Sequence, residues 1–194
     1  MVQGHGSLGK QFEAEIRDSL NYYKTKYPVH FFRVPDYRTI SRIVRREYRG
    51  LKRPCDFIVN INGVCSYWEL KQTSSRTSFR FDLVKEHQIE ELRENHRAGG
   101  TSYILIKRDN ENVKMVYALS VKDFILIREE FFEHKRKSIK WNELEEIEGV
   151  KILRRQRFFP DMTRNRIIYG WNLDPLLFRK YSIQKGLEMV MNDE

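Results

Sequence analysis

Asp56, Glu69 and Lys71 bracket the stretch CDFIVNINGVCSYWELKQ, residues 55–72. Asn62-Gly63 stands there between two β-prone runs, and Asn-Gly favours a two-residue type I′ turn because both central positions need positive φ. That turn opposes Ile61 to Val64, Phe57 to Trp68 and Asp56 to Glu69. Side chains alternate along a strand, so Asp56, Glu69 and Lys71 share one face while Phe57, Val59, Trp68 and Leu70 share the other. Directly opposed carboxylates lie ~4.5–5.5 Å apart at Cβ and repel one another. A cation with oxygen ligands removes that repulsion and uses the spacing. The alternative is a solvated strand face with two unrelated acids. The lysine favours the metal reading, because an ammonium beside a metal-binding carboxylate can hold water and offset charge developing on a phosphate.

Composition narrows the partners. The chain has 194 residues, of which 40% are apolar and 13% aromatic, enough for a core in one domain spanning 1–194. Thirty-six basic against 27 acidic residues leave a net charge of +9, which suggests a polyanionic partner. Cys55 and Cys65 are not opposed in the hairpin register, so free thiols in a reducing compartment are expected, and two cysteines make no zinc site. No apolar run reaches ~18 residues and no hydrophobic signal region opens the sequence, so a cytoplasmic protein without membrane contact is expected.

The elements that must position these residues follow from periodicity. Residues 7–24 predict an amphipathic helix with Leu8, Phe12, Ile16, Leu20 and Tyr23 as its apolar stripe. Glu13 lies at the edge of that stripe, either as a solvated flank or leaning over a site at the buried border. Residues 29–34 predict a strand. Asp82 is a candidate N-cap for a helix over 83–97, closed by Gly99-Gly100. Gln88 falls on its inward face, where an amide is either a satisfied core group or a side chain reaching an active-site water or phosphate. A second hairpin around Asn110 and a helix after Ser120 complete an α/β pattern.

Residues 38–53 hold Arg38, Arg42, Arg45, Arg46, Arg49, Lys52 and Arg53 against the single acid Glu47. Such a run is either a solvated basic segment or a projection onto nucleic acid, with Tyr48 available to stack. Arg76, Thr77 and Ser78, in the loop after the hairpin, suit phosphate oxygens. Residues 151–194 are weakly patterned: 150–159 and 165–171 predict an additional basic hairpin or loop, and 174–186 a short helix with Pro175 in its first turn.

Together these residues resemble a known family. Asp56, Glu69-Leu70-Lys71 and Glu13 on the preceding helix look like the PD-(D/E)xK nuclease motif. The stretch KQTSSRTSFRFDLVKEHQIEEL, residues 71–92, is similar to the segment after the catalytic lysine in RecU-type Holliday junction resolvases. KRKSIKWNELEE resembles that family's segment after its last core helix, and the basic segment 38–53 sits where the family inserts a stalk. The resemblance covers roughly residues 7–150, with Cys55 standing where many relatives carry Pro or Thr. It implies a restriction-endonuclease-like α/β fold, a central mixed sheet flanked by helices with a projecting basic stalk. It implies Mg²⁺, with Mn²⁺ as a substitute, held by Asp56, Glu69 and the carbonyl of Leu70 with help from Glu13. Lys71 would position the attacking water and Gln88 would contact water or phosphate. The implied substrate is a four-way DNA junction, nicked in pairs by a C₂ homodimer.

Two readings compete with that one. Another nuclease of the same fold, an exonuclease or a sequence-specific endonuclease, would be expected to carry a further base-reading element. A non-catalytic DNA-binding module would not be expected to keep Glu13, Asp56, Glu69 and Lys71 together.

Overall fold

The computed structural model describes residues 5–35, 53–61, 63–111, 113–158 and 168–177. Its centre is the predicted hairpin. Strands β2 (Phe57–Ile61) and β3 (Val64–Thr73) pair antiparallel with Phe57 opposite Trp68 and Ile61 opposite Val64. Gly63 takes φ of 78°, a conformation that glycine adopts at little cost, and its amide donates to Asn60 Oδ1 at 3.0 Å.

Helix α1 (His5–Lys24) precedes the edge strand β1 (Val29–Arg33), which pairs antiparallel with β2. On the other side β3 pairs parallel with β5 (Thr101–Asp109), reached through helix α2 (Glu86–Arg97). The chain then returns in β6 (Lys114–Ser120) and crosses helix α3 (Val121–Glu133) to β8 (Lys151–Leu153). The result is a six-stranded mixed sheet in the order β1-β2-β3-β5-β6-β8. A central mixed sheet flanked by helices is the α/β arrangement that was expected.

Alternation along the strands separates two apolar layers. Phe12, Ile16, Leu20 and Tyr23 of α1 bury against Phe57, Val59, Trp68, Leu70 and Leu105 on one face. Ile89 and Leu92 of α2 with Phe124 of α3 bury against Ile104, Ile106 and Leu119 on the other. The stripe read from the sequence of α1 is therefore its buried face, apart from Leu8, whose side chain is not described.

Helix α2 starts later than Asp82 suggests. Residues Phe81–Leu83 form a single 3₁₀ turn, Val84 and Lys85 are extended, and the α-helix begins at Glu86. Asp82 does not cap it, because Arg80 grips that carboxylate at 3.1 and 2.5 Å. Gln88 serves the helix start instead, its Oε1 accepting from the Lys85 amide at 3.0 Å. The other end matches expectation, with Gly99 at φ 88°. Helix α3 is capped by Ser120, whose Oγ accepts from the Asp123 amide at 3.1 Å.

Two short ribbons complete the description. Strands β4 (Ser78–Arg80) and β7 (Ser138–Lys140) pair antiparallel, with helix α4 (Trp141–Glu146) following β7. Strands β9 (Arg155–Phe158) and β10 (Ile168–Trp171) pair antiparallel before the single helical turn α5 (Asp174–Leu177), with Pro175 at its second residue. Of the hairpin-or-loop alternatives near the C-terminus the described residues form a hairpin, and the helix expected from 174 is described as far as Leu177; residues 159–167 and 178–194 lie outside the described residues.

Candidate active site

Asp56 ends the β2–β3 ladder instead of continuing it. Its amide donates to Trp68 O at 3.0 Å, and its Oδ2 accepts from the Leu70 amide at 2.7 Å. That second bond turns the carboxylate back over β3, beside Glu69. Both carboxylates are buried, Asp56 at 2% and Glu69 at 1% exposure. Burial first, and the charge of Glu69 second, push the Asp56 carboxyl from 3.8 up to about 7; Glu13 adds a smaller push, opposed by Arg53.

Lys71 and Gln88 close the site from the α2 side. Lys71 Nζ stands 2.8 Å from Glu69 Oε1 and donates to Gln88 Oε1 at 2.8 Å. Gln88 Nε2 donates to Glu69 Oε1 at 2.5 Å. The amide is a satisfied inward group, and its partners are the two site residues of β3.

Glu13 and Arg53 meet the site through ion pairs. Arg33, at the end of β1, binds Glu13 Oε2 through Nε at 2.7 Å and through Nη2. Arg53 Nη2 lies 2.6 Å from Asp56 Oδ1, an ion-pair distance at an angle that makes no hydrogen bond. Two buried carboxylate oxygens, Asp56 Oδ1 and Glu69 Oε2, therefore carry no hydrogen bond. Two adjacent buried carboxylates, with Glu69 Oε2 free of hydrogen bonds and Asp56 Oδ1 held only by the Arg53 ion pair, fit a hard cation that takes oxygen ligands, and the Leu70 backbone is already drawn against Asp56. Among the described residues no group of three or more His, Cys, Asp or Glu side chains is placed to hold a metal ion; Glu13 reaches Asp56 through its charge.

The residues named from sequence after the hairpin are Arg76 and Thr77, which follow β3, and Ser78, the first residue of β4. Trp141 of α4 donates from its ring to Ser75 O at 3.1 Å and from its amide to Thr77 O at 3.2 Å. Arg108 binds Arg76 O at 3.0 Å, which leaves the Arg76 side chain outward, paired with exposed Glu111. Ser78, Thr73, Arg80 and Lys85 line a cavity of about 320 Å³. Arg38, Arg42, Arg45, Arg46, Tyr48, Arg49 and Lys52 lie outside the described residues.

Sequence reasoning missed the anchoring cations. Arg33 is the last residue of its strand, and its register opposite Phe57 brings it next to Asp56. Lys107 is 1% exposed, in an apolar strand, held by Glu15 of α1 at 2.9 and 3.0 Å and by Asp109 at 2.9 Å. Alternation in SYILIKRD places Lys107 on the face of Leu105, an inward position that the sequence does reveal.

Comparison with known proteins follows the same outline. The model of the RecU family, described as Recombination protein U, matches residues 7–158. A Holliday junction resolvase RecU of Geobacillus sp. (strain WCH70) is 25% identical over 150 residues, covering 73% of this chain and 74% of the relative. One of Bacillus pumilus (strain SAFR-032) is 26% identical, covering 73% and 72%. Among solved structures, the Archaeoglobus fulgidus Holliday junction resolvase Hjc is similar at TM-score 0.37 and 17% identity, covering 59% of this chain and 78% of that one.

Proposed function

The chain belongs to the RecU family, and from that premise we propose that it is an endodeoxyribonuclease that resolves four-way DNA junctions by hydrolysing phosphodiester bonds with a divalent metal. The observation that supports the metal site is the pair of buried, adjacent carboxylates Asp56 and Glu69, with Glu69 Oε2 free of hydrogen bonds and Asp56 Oδ1 held only by the Arg53 ion pair. We assign Mg²⁺, with Mn²⁺ as a substitute, to Asp56, Glu69 and the Leu70 carbonyl. Bound there, the cation supplies a Lewis acid for the phosphate and acidifies water.

Lys71 does the positioning in this reading. Its ammonium is fixed by Glu69 and Gln88, so its remaining donor can hold the attacking water or meet charge developing on the phosphate. Gln88 keeps Glu69 and Lys71 in register with α2. Glu13 acts from α1 through its field at Asp56 or through water, with Arg33 fixing its carboxylate. Arg76 and Thr77 lie on a loop braced by Trp141, and Ser78 opens β4 behind it, which suits a backbone phosphate approaching Lys71.

A junction of four arms needs two symmetric nicks, which favours a C₂ homodimer with one site per protomer. The basic run 38–53 is assigned to the junction centre, where phosphates crowd. Such a substrate would keep the protein with the DNA of the cell's nucleoid; no helix among the described residues is long and apolar enough to cross a membrane.

The test is a nicking assay on a labelled four-way junction, a linear duplex and a single strand of the same sequence. Paired, metal-dependent nicks on opposed strands of the junction support the reading. Preferential cleavage of the single strand or the linear duplex would replace it with a different nuclease of this fold.

A further inference from the structure

We propose that the β9–β10 ribbon is a second DNA-contacting element, in which Arg155, Arg157 and Tyr169 grip the phosphate backbone of a duplex arm. This rests on the reading of the chain as a DNA nuclease. The family match ends at residue 158, so β10 lies beyond it.

Register places the three residues together: Tyr169 opposes Arg157, and Trp171 opposes Arg155. Residues two apart on a strand share a face, so both arginines and Tyr169 line the same side of the ribbon as Trp171; Trp171 is buried at one end of that side, while Arg155, Arg157 and Tyr169 stay exposed. The Arg155 guanidinium lies 5.4 Å from the Tyr169 ring centre and that of Arg157 lies 5.8 Å from it. The ring is 48% exposed. Stacking of this kind restrains the guanidinium planes while leaving their N–H edges free to fork onto phosphate oxygens.

Charge balance sets this face apart. Arg33, Arg53, Arg80, Arg128 and Arg136 each pair with a carboxylate. Arg154, Arg155 and Arg157 are exposed and form no ion pair with any described residue. Three like charges in four residues repel one another, and a polyanion relieves that repulsion.

The ribbon is also held rigidly against the catalytic framework. The Trp171 amide donates to Ser19 Oγ at 2.8 Å and its ring nitrogen to Glu15 Oε2 at 3.0 Å, both on α1, the helix that carries Glu13. Glu15 in turn binds Lys107, whose register partner on β3 is Gln72, next to Lys71. A backbone held at the ribbon is thus held at a set distance from the scissile position.

Fluorescence anisotropy on a linear duplex and a four-way junction across a salt series tests this with full-length protein. Arg155→Ala/Arg157→Ala should lower affinity at least ~5-fold at 0.1 M salt and flatten the salt slope by ~1–2, because each lost duplex contact removes ~0.9. The loss should be the same factor on both substrates. Arg155→Lys/Arg157→Lys should restore the slope, which a folding defect would not allow, and Tyr169→Phe should bind as wild type. Unchanged affinity and slope in the alanine variant, with wild type still nicking junctions, overturns the ribbon assignment alone. A loss confined to the junction overturns the duplex-arm assignment. Wild type that neither binds nor nicks any DNA overturns the functional reading beneath it.

Discussion

Gln88 Nε2 donates to Glu69 Oε1 at 2.5 Å, so a side chain on α2 sets the orientation of a carboxylate on β3. The same amide accepts from Lys71 and from the Lys85 backbone, which ties the site to the helix start. Gln88→Ala removes all three bonds. We predict a 10–100-fold fall in cleavage, the usual consequence of losing a partner that orients a metal ligand, with junction affinity unchanged. Gln88→Ala cleaving at the wild-type rate would show that Glu69 and Lys71 need no support from α2.

Lys71→Ala should slow cleavage by ~10²–10³, the cost of one electrostatic group at a developing charge. Mg²⁺ binding should survive, because the ammonium acts on water and phosphate. Calorimetry showing that Mg²⁺ no longer binds would give Lys71 a structural role.

Asp56 gives the metal-free protein a pH-dependent weakness. Its folded-state pKa is raised to about 7, chiefly by burial and then by Glu69. Between about pH 4 and 7 the folded state keeps a proton that the unfolded chain has released, so stability falls as pH rises through that window. Asp56→Asn removes the effect. Above pH 7 without metal, the variant should be more stable by at least ~1 kcal/mol, or ~2–4 °C in Tm, while below pH 4 the gain should vanish. Identical melting curves across this range would contradict the buried, repelling pair.

Lys107 predicts the largest effect on stability away from the chemistry. It is enclosed by Glu15, Asp109, Phe12 and Trp171. Removing one partner of a buried pair strands the others and costs ~3–5 kcal/mol. Lys107→Ala should show that loss in urea unfolding; a loss under ~1 kcal/mol would mean that the network is solvated.

Much of the site was legible because its signals are local. Asn62-Gly63 with alternating Phe57, Val59, Trp68 and Leu70 sets a register that puts Glu69 and Lys71 on one face, and Asp56 joins them just past the end of the ladder through its bond to the Leu70 amide. The stripe of α1 was legible for the same reason. What escaped depends on contacts between distant residues. Arg33 reaches Glu13 across twenty positions, and Lys107 is tolerated in the core only because α1 delivers Glu15. Asp82 carries a true N-cap side chain, but Arg80 competes for it and the helix starts four residues later. The β9–β10 ribbon was half-legible, since its basic residues were plain while the burial of Trp171 against α1 was not.

The central claim is that Asp56 and Glu69 hold the metal that cleaves a four-way junction. Single-turnover cleavage of a labelled junction by wild type and Asp56→Asn, each with Mg²⁺ and with chelator, tests it most directly. Paired nicks are expected only for wild type with Mg²⁺, with junction binding by Asp56→Asn as tight as wild type or tighter, since one negative charge near the phosphates is gone. Near-wild-type turnover by Asp56→Asn in Mg²⁺, or equal wild-type cleavage in chelator, would contradict it.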